Sequence, residues 1–257
     1  MKKMDRIIIK LGGSLITKKN REDFPTTINE IEKRADEFIK HEIIRNLAKE
    51  ISKLKVNLII INGAGPFGHF LVDRGCDAKT VHFSVQLLNQ KIIDIFKKER
   101  MDLVPVSPYD TCSYKKRIYG DELWKKTKQI LDNGKIPIIY GDVIPISKKD
   151  YEVISGDDIV VEMAKRWKAN KIIMLSDVNG VFTRNPKIYS DAKFIPELRD
   201  TKNIEFRLAN IDVTGGLQSK IKKLLSIDIP SQIINGLESG NLEKAINGES
   251  VGTIIRH

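Results

Sequence analysis

The chain has 257 residues, of which 41% are hydrophobic and 30% charged, a balance that excludes a disordered or collagen-like polymer and supports a sizeable buried core. At about 150 residues per domain this is one large domain or two small ones. Lys and Arg number 44 against 34 Asp and Glu, and the net charge of +10 favours anionic ligands without choosing among them.

Five short runs rich in Ile and Val punctuate the chain, each ending at a glycine or polar turn. Ile7–Leu11 precedes Gly12-Gly13, Leu58–Ile61 precedes Asn62-Gly63, and Ile136–Tyr140 precedes Gly141. Lys171–Leu175 precedes Ser176-Asp177, and Gln232–Ile234 precedes Asn235-Gly236. Unbroken apolar runs of this length predict strands buried on both faces, as in parallel sheets. Between them, Ile31–Leu54 places Phe38, Ile39, Ile43, Leu47 and Ile51 near helical spacing and predicts one long amphipathic helix. Ser84–Phe96, Asp121–Leu131, Asp157–Trp167 and Gly216–Leu225 predict further helices, and Lys115–Tyr119 reads as a surface hairpin tip. Strand, loop and helix in repetition predict an α/β chain, a three-layer αβα sandwich around an open, mainly parallel sheet.

The longest apolar runs are too short to span a bilayer, and MKKMDRIIIK lacks the features of a signal peptide, so a cytoplasmic protein with no membrane partner is expected. Cys76 and Cys112 form no CxxC pair and no disulfide framework. The basic pairs and triplets, such as Lys115-Lys116-Arg117 and Lys222-Lys223, are not interleaved with aromatics, so no nucleic-acid partner is expected.

Ligands of such sheets bind beyond the carboxyl ends of the strands, so the turns there carry the chemistry. Lys10-Leu11-Gly12-Gly13-Ser14, with Lys19 beyond it, can form a backbone nest for a phosphate flanked by ammonium groups. A plain tight turn with solvated lysines reads the same residues as well. No Walker A sequence occurs. Gly63, Gly65 and Gly68 spell GxGxxG, but the acidic residue required some twenty positions later for a dinucleotide ribose is missing around Phe83–Leu88. Pro66 suits a first helical turn whose N–H groups face an anion, and His69, placed on that turn, is a donor to phosphate or a structural histidine. Ser155-Gly156-Asp157-Asp158 is an ordinary helix cap, or a carboxylate pair that orients lysines or helps hold Mg²⁺. Asp212-Val213-Thr214-Gly215-Gly216 opens another helix, with Lys220 about one turn inside it. His41, His82 and His257 show no metal-ligand spacing, and no Ser-His-Asp or Cys-His assembly is apparent.

In order, KLGGS, GAGxFGH, GDV, SGDD, SDVNGVFTRNP, DVTGG with its lysine, ING and GTIIR resemble the amino acid kinase superfamily, and within it the isopentenyl phosphate kinase family of the mevalonate pathway. The resemblance runs from Ile7 to Arg256 and is least close over Arg74–Tyr119. It implies an acceptor-binding lobe over residues 1–167, a nucleotide-binding lobe over 168–257, the cofactors ATP and Mg²⁺, and a homodimer. It implies that His69 binds and polarises the acceptor phosphate, with Gly63, Ala64 and Gly65 as backbone donors and Ser155 and Gly156 beside it. Lys10, Lys19 and Lys220 are implied on the transferring phosphate and the β- and γ-phosphates, and Asp157 as the carboxylate that orients them. Gly12, Gly13, Ser14, Gly215 and Gly216 are implied at the nucleotide phosphates, and Ser176, Asp177, Gly180 and Val181 at the adenine and ribose. The chain departs from the family pattern at Asn62, Phe70, Ser176 and Asn179.

The expected reaction is transfer of the ATP γ-phosphoryl to isopentenyl phosphate. A phosphate monoester is largely dianionic at neutral pH, so cations matter more than a general base. A kinase of another phosphate or phosphonate acceptor, such as fosfomycin, and a catalytically silent nucleotide-binding regulator are the alternatives.

Overall fold

The structure is a computed structural model that describes residues 4–18, 22–111, 119–147, 150–201 and 216–256. From the amino end, β1 (Arg6–Leu11) runs into the four-residue α1 (Gly13–Ile16), and α2 (Ile28–Phe38) and α3 (His41–Ile51) lead to β2 (Asn57–Asn62). A 3-10 turn at Gly65–Phe67, the short α4 (His69–Asp73) and the long α5 (Ala78–Lys98) return the chain to β3 (Leu103–Val106). Next come α6 (Pro108–Thr111), α7 (Tyr119–Asp132), β4 (Ile136–Tyr140) and a hairpin of β5 (Asp142–Pro145) and β6 (Tyr151–Ile154). The remainder begins with α8 (Gly156–Trp167), β7 (Lys171–Ser176) and a small hairpin of β8 (Val181–Phe182) and β9 (Phe194–Ile195). It ends with β10 (Glu197–Leu198), α9 (Gly216–Leu225), β11 (Ser231–Asn235), α10 (Asn241–Ile246) and β12 (Thr253–Ile255).

Eight strands form one sheet in the order β10-β12-β11-β7-β1-β2-β4-β3, parallel throughout except where β11 meets β12. Residues 1–167 and 168–257 share this sheet, because β1 pairs with β7 at its centre. All five strands expected from the apolar runs are present, within a residue at either end. β3, β10 and β12 lack such a signal: they are only two to four residues long, and β3 and β10 are the edge strands, where a single neighbour imposes less apolar sequence.

Side chains alternate across the sheet. Ile7, Ile9 and Leu11 join the core on the side of α2, α3 and α5, whereas Ile8 joins the core that includes Ile159 and Met163 of α8 and Ile221 and Leu224 of α9. Lys10 shares the parity of Ile8 and therefore faces α8 and α9. The register aligns Leu11 with both Asn62 and Leu175, and Asn62 with Tyr140. The turns after β1, β2, β4 and β7 are thereby stacked along one edge.

The helix expected over Ile31–Leu54 is two helices, because the chain becomes extended at Ile39 (φ −96°, ψ 138°). The break is set by pairing with the segment after α1: Lys18 N–H donates to Phe38 O and Lys40 N–H to Ile16 O. It also sends the Lys40 ammonium to the Ser14 carbonyl at 2.8 Å. His69 does not sit on the turn that contains Pro66; it opens α4 after Gly68. Of the expected hairpin tip, residues 115–118 lie outside the described residues, and Tyr119 begins α7. Among the described residues no helix is long and apolar enough to cross a membrane.

Candidate active site

The turn after β1 and the turn after β2 touch backbone to backbone. A Cβ on Gly13 would lie 2.7 Å from the Gly65 nitrogen, and one on Gly63 would lie 2.7 Å from the Gly13 nitrogen. Gly65 also has φ +53°, where a side chain is disfavoured, and a Cβ there would overlap the Thr17 hydroxyl. Glycine is required here by close approach, which brings the Lys10 turn and the GAGxFGH segment into one concave surface. Gly63 N–H donates to Leu11 O at 2.9 Å, and Gly12 N–H to Leu175 O at 3.0 Å, so both turns hang from the central strands. The leading amides of a helix such as α1 receive no acceptor from the helix itself, which suits them to an anion.

Behind these turns Lys10 is buried, with its ammonium 2.5 Å from Asp157 Oδ1 at the start of α8. The start of α8 sits close against these strands: a Cβ on Gly156 would lie 3.3 Å from the Asn62 carbonyl oxygen and 3.4 Å from Lys10 Cε. Burial, helped by the like charges of Lys220 and Lys223 and opposed by Asp157, lowers the Lys10 pKa to about 8. Burial alone would raise the Asp157 carboxyl, but Lys10, Lys220 and Lys223 outweigh it and hold it at about 2. One buried anion is thus surrounded by three cations, and the excess positive charge is what a polyanionic ligand requires. Lys10, Asp157 and Lys220, separated by up to 210 positions in the chain, are brought together.

Ser155 caps α8 in a reciprocal box with Asp158. Its hydroxyl donates to Asp158 Oδ2 at 2.5 Å and accepts from Asp158 N–H at 3.2 Å. Lys223, which the sequence reading did not single out, adds two contacts to this cap: its Nζ lies 3.2 Å from Ser155 Oγ and 2.8 Å from Asp158 Oδ1. Its signal was spacing alone, since it lies three residues beyond Lys220 on the same helix.

His69 stands half-exposed at the first position of α4. Phe70 turns the other way into the core, edge-on to Phe24 at 6.1 Å, with the Arg74 guanidinium over its ring. Val81, Val85 and Leu88 are buried in the same core. Asn62, fully buried, accepts from Asn89 of α5 at 2.9 Å through its side-chain oxygen. One strand over, the buried Asp142 carboxylate meets His82 Nδ1 at 2.9 Å, and His82 stacks on Tyr109 at 4.1 Å between ring centres. Burial raises the Asp142 pKa against the opposing pull of His82.

On the β7 side, the Ser14 hydroxyl donates to Asp177 Oδ1 at 2.8 Å, and Lys187 lies 2.5 Å from the other carboxylate oxygen. Ser176 ends β7. Gly180 and Val181 rest against β12, where Val181 N–H donates to the Thr253 hydroxyl at 2.7 Å and the Val181 side chain is wholly buried. Lys19 and Gly215 lie outside the described residues, and Gly216 is the first residue of α9.

Three comparisons bear on this geometry. The amino acid kinase family model matches residues 5–235. Isopentenyl phosphate kinase of Methanothermobacter thermautotrophicus is 32% identical, covering 97% of this chain and 98% of its own. The corresponding protein of Methanocaldococcus jannaschii is 31% identical over 96% of this chain and 97% of its own. Among solved structures, one described as an X-ray structure of isopentenyl phosphate kinase superposes with a TM-score of 0.75 at 28% identity, covering 97% of this chain and 99% of that one.

Proposed function

This chain belongs to the amino acid kinase family, and from that premise we propose that it transfers the γ-phosphoryl group of ATP to isopentenyl phosphate, giving isopentenyl diphosphate and ADP. The observation that carries this reading is the buried Lys10–Asp157 pair, ringed by Lys220 and Lys223 behind two interlocked glycine turns. The likeness to isopentenyl phosphate kinases over nearly the whole chain supports the choice of acceptor.

An oxygen of the acceptor phosphate attacks the γ-phosphorus in line, a new P–O bond forms, and the bond to the β,γ-bridging oxygen breaks with ADP leaving. The nucleophile is already anionic, so no base need remove a proton. The barrier is the approach of two polyanions, and preorganised cations and amides lower it. In this reading Lys10, Lys19 and Lys220 neutralise the transferring and β/γ-phosphates, and Asp157 keeps Lys10 aimed. His69 donates to the acceptor phosphate beside Gly63, Ala64 and Gly65. Ser14 and Asp177 anchor the nucleotide side, with Ser176, Gly180 and Val181 near the base and ribose.

Among the described residues, those of the site fit Mg²⁺ as an ion carried by ATP. Asp157 is committed to Lys10, and Asp177 to Ser14 and Lys187. Phosphate oxygens and water would therefore supply the ligands, as this small hard ion prefers. When bound, the ion adds positive charge at the triphosphate. Residues 1–167 are assigned to the acceptor and 168–257 to the nucleotide, and a cytoplasmic homodimer completes the proposal.

Purified protein with Mg-ATP and isopentenyl phosphate is expected to yield ADP and isopentenyl diphosphate by mass spectrometry, with kcat/KM of about 10⁴ M⁻¹s⁻¹ or above. Dimethylallyl phosphate, fosfomycin and an acceptor-free control run alongside. Acceptor-independent ATP loss, or turnover of fosfomycin alone, would overturn the assignment.

A further inference from the structure

The cap of α8 leaves Ser155 chemically spent. A hydroxyl has one proton and two lone pairs. Its proton goes to Asp158 Oδ2, and its lone pairs receive Asp158 N–H and the Lys223 ammonium. It has no donor left for a phosphate. Lys223 carries three N–H donors, of which Ser155 Oγ and Asp158 Oδ1 take two. Both contacts pin its head beside the start of α8, one residue from the Lys10–Asp157 pair, and its charge acts on both members of that pair. A lysine stem is ordinarily too flexible to hold a position without cost, and this one is already fixed.

We propose that Lys223 is a further phosphate-binding lysine of this site, held by Ser155 and Asp158 so that its remaining N–H faces the acceptor phosphate in place of the committed Ser155 hydroxyl. The inference rests on reading the site as one that takes a phosphate acceptor. Asp158 serves as the counter-ion that keeps the ammonium in place before ligand arrives, and the incoming phosphate supplies the stronger charge-assisted bond.

The test is steady-state kinetics on Lys223→Met and Lys223→Arg, with Lys222→Met, an exposed neighbour on the same helix, as the matched loss of charge. Lys223→Met is expected to raise KM for isopentenyl phosphate about tenfold or more, the scale of one lost charge-assisted bond, with KM for ATP within about twofold. Lys223→Arg recovers most of the loss, and Lys222→Met behaves as wild type. An unchanged acceptor KM in Lys223→Met overturns the proposal. So does an equal loss in both KM values that Arg fails to rescue, which marks a purely structural clasp. If Lys223→Met does not fold, Lys223→Gln, which keeps donors for Ser155 and Asp158 without the charge, is read by the same criteria. If wild type does not turn over isopentenyl phosphate, the substrate assignment falls separately. Calorimetric titration with inorganic phosphate then decides: a tenfold weaker Kd in Lys223→Met upholds Lys223, and a Kd within twofold overturns it.

Discussion

The Lys10 ammonium and an Asp157 carboxylate oxygen lie 2.5 Å apart, the lysine 7% and the carboxylate 17% exposed, joining the end of β1 to the start of α8 across 147 positions. Removing one partner of such a pair leaves the other charge buried and uncompensated, which is costly. The pair therefore ties the integrity of the site to the protonation of both groups.

Turnover should fall as pH rises through about 8, where Lys10 loses its proton. Asp157 supports that proton, so Asp157→Asn should move the alkaline limb to lower pH and reduce kcat about a hundredfold. Stability follows the opposite sign at Lys10. Its folded pKa lies below the ordinary 10.5, so its contribution to stability rises between about 8 and 10.5 while activity is being lost. Asp157, held below its ordinary 3.8, stabilises the fold above about 4, and that contribution is lost as pH falls toward about 2. Rate profiles and thermal melts across pH, compared with Asp157→Asn, check both limbs; an alkaline limb that stays put in the variant refutes the coupling.

His69→Ala should reduce kcat about a hundredfold or more, because the imidazole is assigned to the phosphate that attacks. Nucleotide affinity, measured by calorimetry with ADP, should survive. Unchanged turnover would remove His69 from the mechanism.

Gly13→Ala should destabilise the protein by about 1–3 kcal/mol, since its methyl group meets the Gly65 backbone and neither turn can yield alone. Gly75→Asn is the control: Gly75 has φ +70° with open space around it, and Asn tolerates that conformation. Denaturant melts should separate the two variants clearly, and equal midpoints would contradict the interlock.

Asp177→Ala should raise KM for ATP about tenfold, because Ser14 and Lys187 lose the acceptor that positions them. KM for the acceptor should stay within about twofold. A change confined to the acceptor would place Asp177 on the wrong side of the site.

The parallel strands were legible because a strand covered on both faces needs an unbroken apolar run, and such runs end where the loops carry glycine. Phe38 and Ile39 show the limit of that reading. Their spacing continues a helix, yet backbone pairing with Ile16 and Lys18, more than twenty residues earlier, extends the chain at Ile39. Phe70 is a second case: the sequence shows it only as a departure from the family pattern next to His69, and the Phe24 ring and the core decide that it turns inward. The partners of Lys223 and Asn89 were not legible for the same reason, as Ser155 and Asn62 are distant in the chain.

By itself the sequence determined the layered α/β class, the strand-end turns and the order of motifs that resembles the amino acid kinases, because those depend on local periodicity and on where glycine is tolerated. Tertiary structure alone decided which charges meet. The sheet register places the β1 and β2 turns side by side, strand alternation turns Lys10 toward α8 and α9, and there burial lowers the Lys10 pKa while the surrounding lysines lower that of Asp157. Those outcomes depend on distance and dielectric between groups far apart in the chain.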